Sequence, residues 1–434
     1  MPRLKRVVTL REALSINLAA IIGAGIYVIS GLAAGTAGPA SIIAILIGGV
    51  ASIFTGFSFA ELAHLYASEG GNYEYSREVL GNYAGFIAGI VWVLGSMVGG
   101  AAIALSFAGY LNSLLNIHFS ETIEAAILVI VLALINYFGI KRSAELATFL
   151  TILNICVLLF FVLVGVFFIK PSNYVPVFPK GLSSMFVASA FVFFAYTGFA
   201  RVTMLGDEIK EPRKTIPRAI IYSILISTLV YASVMFVLIG IVSYSSVSRS
   251  SSPLAYALIS ATRNPLFGYV IDVGALIATF DVDLAMILGL SRVLFAMSHD
   301  KAIPKHFSQL NKYSVPHFSI LASAIVMIGI LPLAFKEIVS LSNAGSLFSY
   351  TLANIAAIKL TLANRKNPEK LIVNKRNAFL LPIIGAFTTI GLLVFLTPLS
   401  LEILACVLVG VSAYYFATGK HLRRIIEHER KENW

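Results

Sequence analysis

Charge is what this chain is short of. Aspartate, glutamate, lysine and arginine supply 12% of its 434 residues, where a soluble protein carries roughly a quarter. With 58% hydrophobic residues and a mean hydropathy of +0.88, it cannot cover its own surface with polar groups, so lipid is its expected solvent. Cysteine is scarcer still. Cys156 and Cys406 are the only two; both lie inside apolar runs, where they are expected as buried small hydrophobes and not as a disulfide or metal site. The seven histidines share no ligand spacing, so no metal is assigned. HExxH, GxSxG and P-loop motifs are absent, which argues against a membrane-embedded enzyme and leaves no catalytic residue. Nothing calls for a cofactor. No repeated filter sequence or sensor domain supports a channel or receptor, and no loop is long enough to bury a soluble core.

What the chain has instead is apolar runs. Crossing a bilayer takes about 20 mostly apolar residues. Segments 12–35, 39–67, 83–115, 122–140, 144–169, 184–206, 217–243, 267–297, 317–335, 338–363, 378–397 and 399–418 qualify, which predicts an all-α integral membrane protein of 12 transmembrane helices. The first run continues beyond a signal-peptide core and lacks a convincing cleavage site, so it is read as a permanent helix. The net charge of +11 sits in short segments between spans, which speaks against a nucleic-acid partner. If the N-terminus is cytoplasmic, 26 Lys and Arg fall inside and 5 outside, with Arg201 within a span. That bias places both termini in the cytoplasm of a multi-pass plasma-membrane protein.

Two spans are interrupted by glycine near mid-membrane. The first reads Ile22-Gly23-Ala24-Gly25-Ile26, and the sixth reads Phe194-Ala195-Tyr196-Thr197-Gly198. Glycine in such helices often serves close packing alone. Two interruptions five spans apart instead suggest inverted repeats with discontinuous helices around a midplane site. An unwound stretch exposes N–H donors suited to a carboxylate and carbonyls suited to an ammonium or cation. A zwitterionic amino acid fits both.

These segments and their surroundings resemble the amino acid–polyamine–organocation permease superfamily over nearly the whole chain. The resemblance rests on four motifs. They are Gly23-Ala24-Gly25, then Phe59-Ala60-Glu61-Leu62-Ala63 followed by Glu69-Gly70-Gly71-Asn72-Tyr73-Glu74-Tyr75. After these come FFAYTGF at 193–199 with Gly206-Asp207-Glu208-Ile209-Lys210-Glu211-Pro212, and Leu290-Ser291-Arg292 with Asp300-Lys301-Ala302-Ile303-Pro304. It implies a leucine-transporter-type fold with a 5+5 inverted repeat (12–169 and 184–363, with 378–418 as two added helices) and broken helices 1 and 6. It also implies alternating access. By this resemblance Ile22 to Ile26 hold the substrate carboxylate, and the carbonyls of Phe194, Ala195 and Thr197 hold the amino group. Phe194 is then an aromatic gate, and Met286 falls near the substrate wall. Two departures stand out. Ala200 and Arg201 follow the Gly-Phe of span 6, where many members place an acid. Asn154 occupies the position where proton-coupled relatives carry a lysine.

Span 8 contains Asp281 and Asp283, about 200° apart on a helix, so both cannot face one site. Carboxylates at such depth are retained mainly where they line a cavity, pair, or bind an ion. Three readings stay open: a proton carrier, a sodium ligand together with carbonyls of Ala19 and Ile22, or recognition of a cationic substrate or a structural ion pair. Sharing a face with Met286 slightly favours Asp283. Glu61 and Arg292 are expected in a cytoplasmic gate network. Asp272 and Glu402 are expected to snorkel to water, and the tyrosines near span ends to form an aromatic belt. The expected function is secondary active, proton-coupled symport of neutral amino acids. The alternatives are sodium coupling, or exchange or transport of cationic amino acids or polyamines. Monomer and homodimer both remain open.

Overall fold

The computed structural model describes residues 8–66, 71–139, 144–205, 209–364, 371–372 and 375–432. Glu69, Gly70, Gly206, Asp207 and Glu208 of the motifs, and the basic residues Arg3, Lys5, Arg6, Lys141 and Arg142, lie outside them. Among the described residues the regular structure is helical, with two isolated β-bridges. The helices are α1 (Leu10–Ile22), α2 (Gly25–Ala37), α3 (Ser41–Leu65), α4 (Gly71–Leu80), α5 (Asn82–Leu115), α6 (Glu121–Tyr137), α7 (Ala144–Gly165) and α8 (Leu182–Tyr196). They continue with α9 (Pro212–Ile241), α10 (Tyr244–Val247), α11 (Pro253–Thr262), α12 (Pro265–His299), α13 (His317–Ile330), α14 (Phe335–Ala363), α15 (Lys375–Val394) and α16 (Pro398–Glu432).

Local chemistry sets several boundaries. Proline opens α9, α11, α12 and α16, where its missing N–H costs no helical hydrogen bond. At the start of α1 the Glu12 carboxylate accepts from the Thr9 N–H at 2.7 Å and the Thr9 hydroxyl at 2.8 Å. Among the described residues, nine segments are long and apolar enough to cross a membrane. One of them, Leu10–Leu65, runs 56 residues and contains α1, α2 and α3. The 17-residue α6 and the 14-residue α13 fall below the length that defines the nine.

α5 packs against α12 and α14, α3 against α8, α9 and α15, and α1 against α7 and α9. Small residues allow the closest approaches: a Cβ on Gly345 of α14 would stand 2.8 Å from the Val91 carbonyl of α5. Large apolar side chains such as Leu163, Phe387 and Val409 point outward, a surface suited to lipid and not to water. Cys156 and Cys406 are exposed on this outer face, not buried as expected. A helix face turned to lipid offers a thiol the same apolar medium as a core does.

Candidate functional site

The discontinuity in the first apolar segment is real and short. α1 ends at Ile22, α2 begins at Gly25, and Gly23 takes ψ −100 between them. Ending one helix and starting another leaves carbonyls of α1 and N–H groups of α2 without intrahelical partners. Neighbouring helices meet much of that need. The Asn154 amide of α7 donates to the Ile22 carbonyl and, at 3.2 Å, to that of Gly23. Its own oxygen accepts from Tyr27 at 2.8 Å. The Tyr231 phenol of α9 lies 2.5 Å from the Ile21 carbonyl and 3.3 Å from that of Ala195, so a single hydroxyl touches both interrupted segments.

The second interruption takes a different form. α8 runs unbroken through Tyr196, and the backbone then tightens into a 3₁₀ helix over Thr197–Leu205. The Thr197 hydroxyl donates to the Phe194 carbonyl at 2.9 Å, and the Tyr350 phenol of α14 to the Thr197 carbonyl at 2.7 Å. The Phe194 carbonyl accepts from the Thr197 N–H as well, so of the three carbonyls expected to meet an amino group it already holds two hydrogen bonds, while those of Ala195 and Thr197 each accept from a tyrosine phenol. The two interruptions meet where glycine permits. A Cβ on Gly25 would stand 2.7 Å from the Ala195 Cα, and one on Gly198 would run into the Ala20 carbonyl.

A cavity of about 880 Å³ reaches this meeting point. Its walls include Ala19, Ala24 and Gly25, then Phe194, Ala195, Thr197 and Gly198, with Asp281, Met286 and Arg292 of α12 and Arg201 of the 3₁₀ turn. Ile22, Gly23, Ile26, Tyr196, Asn154, Asp283 and Glu61 do not line it. Tyr196 instead donates to the Ile45 carbonyl at 3.1 Å. Glu61 is buried and accepts from the Ile372 N–H at 3.1 Å. The two aspartates of α12 diverge, as their angular spacing requires. Asp281 lines the cavity. Asp283 is fully buried, has no hydrogen-bond partner on either oxygen among the described residues, and lies where a Cβ on Gly100 of α5 would stand 2.9 Å from it. Ala19, the Ile22 carbonyl and Asp283 thus face three different surroundings.

The cavity extends to the end of the molecule that holds α4 and the C-terminus of α12, where Tyr73, Arg77 and the exposed His299 and Asp300 line it. There Arg77 forms an ion pair with Asp300, and Tyr73 donates to the same carboxylate at 3.0 Å. Burial, followed by the charge of Asp300, pushes the Tyr73 phenol up to about 12, so it remains a donor at neutral pH. The opposite end is closed. Gly31 of α2 abuts Pro253 of α11, and Gly109 of α5 abuts Ser251. Asp272, expected to snorkel, is fully buried at this end. The Ser113 hydroxyl donates to it at 3.0 Å and draws it inward.

Tyr231 and Tyr350, which hydrogen-bond the interrupted segments, belong to none of the sequence motifs. They lie in mid-helix, not at span ends, and a lone phenol deep in an apolar run is the signal that marks them.

A many-helix apolar chain with a cavity at a helix discontinuity has the architecture of a multi-pass membrane transporter. The chain belongs to the amino acid permease family, whose model matches residues 12–416, a permease family and not an enzyme class. It is 30% identical over 444 residues to the branched-chain amino acid permease BcaP of Bacillus subtilis, covering 96% of this chain and 94% of that one. It is also 30% identical to the methylthioribose transporter of Bacillus subtilis, with 94% and 92% covered. To the vacuolar cationic amino acid transporter 4 of Arabidopsis thaliana it is 30% identical, with 80% and 62% covered.

Proposed function

We propose that this permease is a secondary active transporter that carries neutral amino acids with protons by alternating access in the plasma membrane. In this reading it makes twelve passes with both termini cytoplasmic. Residues 12–169 and 184–363 are inverted repeats, and 378–418 are two added helices. The observation that carries it is the cavity that ends at the junction of the two interrupted segments and reaches the exposed residues Arg292, His299 and Asp300 at its open end. The bias of basic residues makes the open end cytoplasmic, so the arrangement is inward-facing. The substrate sits where the cavity meets the two interrupted segments, against Ala24, Gly25, Phe194, Ala195, Thr197, Gly198 and Met286. Ser96, Gly99, Ile103 and Val282 on the wall favour a neutral side chain. Asp281 beside the cavity, and relatives named for cationic amino acids, support cationic substrates as the second reading.

Counterflow in proteoliposomes tests the carrier itself, and a thermal-shift screen of the twenty amino acids, agmatine and putrescine tests the substrate class. Ligands stabilise the state they bind. Stabilisation by agmatine or putrescine alone would transfer the proposal to the second reading, and no shift with any compound would remove it.

Coupling is assigned to the carboxyls of Asp281 and Asp283. With one proton per substrate, a gradient of one pH unit supports about tenfold accumulation. Asp281→Asn or Asp283→Asn is expected to bring that ratio toward unity while exchange survives. Wild-type accumulation in both single variants and the double variant would remove the assignment.

A further inference from the structure

Asp272 has no role in the scheme so far. It lies in the half of α12 beyond the cavity, at the closed end, and is fully buried. Its Oδ2 accepts from the Ser113 hydroxyl, and its Oδ1 has no hydrogen-bond partner among the described residues. The elements packed on α12 are α5, α6, α7, α11, α13 and a 3₁₀ turn at Lys305–Ser308. Among the described residues, the titratable side chain they turn toward Asp272 is Tyr110 of α5, and no basic group faces it. Tyr110 is itself part of the closure. Its phenol lies 3.4 Å from the Tyr27 carbonyl of α2, its ring meets that of Tyr27 edge-on, and the Leu254 backbone of α11 lies beside it. The carboxyl is therefore sealed beneath the contacts that join α2, α5 and α11.

A carboxylate in such a place, with one neutral donor and no counter-charge, is a costly species, whereas the neutral acid is tolerated. We propose that Asp272 is an extracellular proton-binding site whose occupancy is required for the outer side to close. The inference rests on the alternating-access reading above but not on which solute is carried. When α2 and α11 part, external water reaches the carboxylate, and hydronium gives up a proton to form the Oδ1–H bond and leave water. Reopening reverses the step and returns the proton outside. Because the closed state binds the proton better, acid outside favours closure and alkali favours opening.

The test needs no substrate. Ser30 of α2 is fully buried at the closed end. In a Cys156→Ser, Cys406→Ser background, a Ser30→Cys thiol is labelled from outside by a membrane-impermeant maleimide and normalised to Ser246→Cys at an exposed position of α10. Normalised labelling is expected to rise about tenfold per pH unit below its midpoint and then level off, as for one linked proton. With Asp272→Asn added it is expected to stay low and flat. A flat response without that change, or a rise that persists with it, overturns the site. Should the asparagine variant fail to reach the membrane, a hydrophobic carbodiimide decides the matter, since it modifies buried protonated carboxyls. It should modify Asp272 at acid pH and progressively less as labelling of Ser30→Cys rises. No modification of Asp272 at acid pH overturns the proposal. Failure of amino acid counterflow alongside a positive result here would remove the substrate assignment and leave this site standing.

Discussion

Gly25→Ala and Gly198→Ala each weaken amino acid binding by about ten- to a hundredfold, the equivalent of about 1.4–2.8 kcal/mol of overpacking. The new methyl on Gly25 would lie 2.7 Å from the Ala195 Cα and 2.9 Å from its Cβ, and the one on Gly198 would meet the Ala20 backbone. Main chain has no rotamer to yield, so the two interrupted segments must separate and the cavity between them must change shape. Gly289→Ala is the control. Gly289 also lines the cavity, yet nothing lies within 4 Å of a Cβ built there, so its affinity should stay within about twofold of the parent, the scale of a neutral surface change. Titration of substrate-induced thermal stabilisation in the three variants checks this. Equal affinities in all three would show that the approach of α2 to α8 is not part of the site.

Asn154→Leu is the second large effect. The leucine removes the donor to the Ile22 and Gly23 carbonyls and the acceptor of the Tyr27 hydroxyl. A buried polar group left unpaired costs about 1–3 kcal/mol, and three are left at once. The expected result is a lower unfolding temperature and uptake below about a tenth of the parent, a factor equivalent to 1.4 kcal/mol. Asn154→Gln, which keeps an amide, should recover part of both. Parent-like uptake in Asn154→Leu would mean that the break holds its shape without α7.

The first interruption was legible because glycine on both sides of Ala24 removes the side chains that would keep a helix wound there. The angular relation of Asp281 and Asp283 was legible for a similar reason, since helix geometry fixes it. Which of the two meets the cavity was not. That depends on how α12 is rotated against α5 and α13, and no local pattern around either residue encodes it. The sixth span shows the same limit. Phe194-Ala195-Tyr196-Thr197-Gly198 reads as a break, but the Thr197 hydroxyl and the distant Tyr350 accommodate a change of winding instead. Asp272 was misplaced because closeness to a helix end suggested water, while Ser113, 159 residues away in sequence, holds it inside.

Ser96→Cys, in a chain with Cys156→Ser and Cys406→Ser, tests the account most directly, because Ser96 lines the cavity below the interrupted segments. A thiol reagent applied from the cytoplasmic side should label it, and the amino acid that gives the largest thermal shift should protect it at concentrations that match its affinity. Undiminished labelling at saturating amino acid would contradict the claim that this cavity is where the substrate binds.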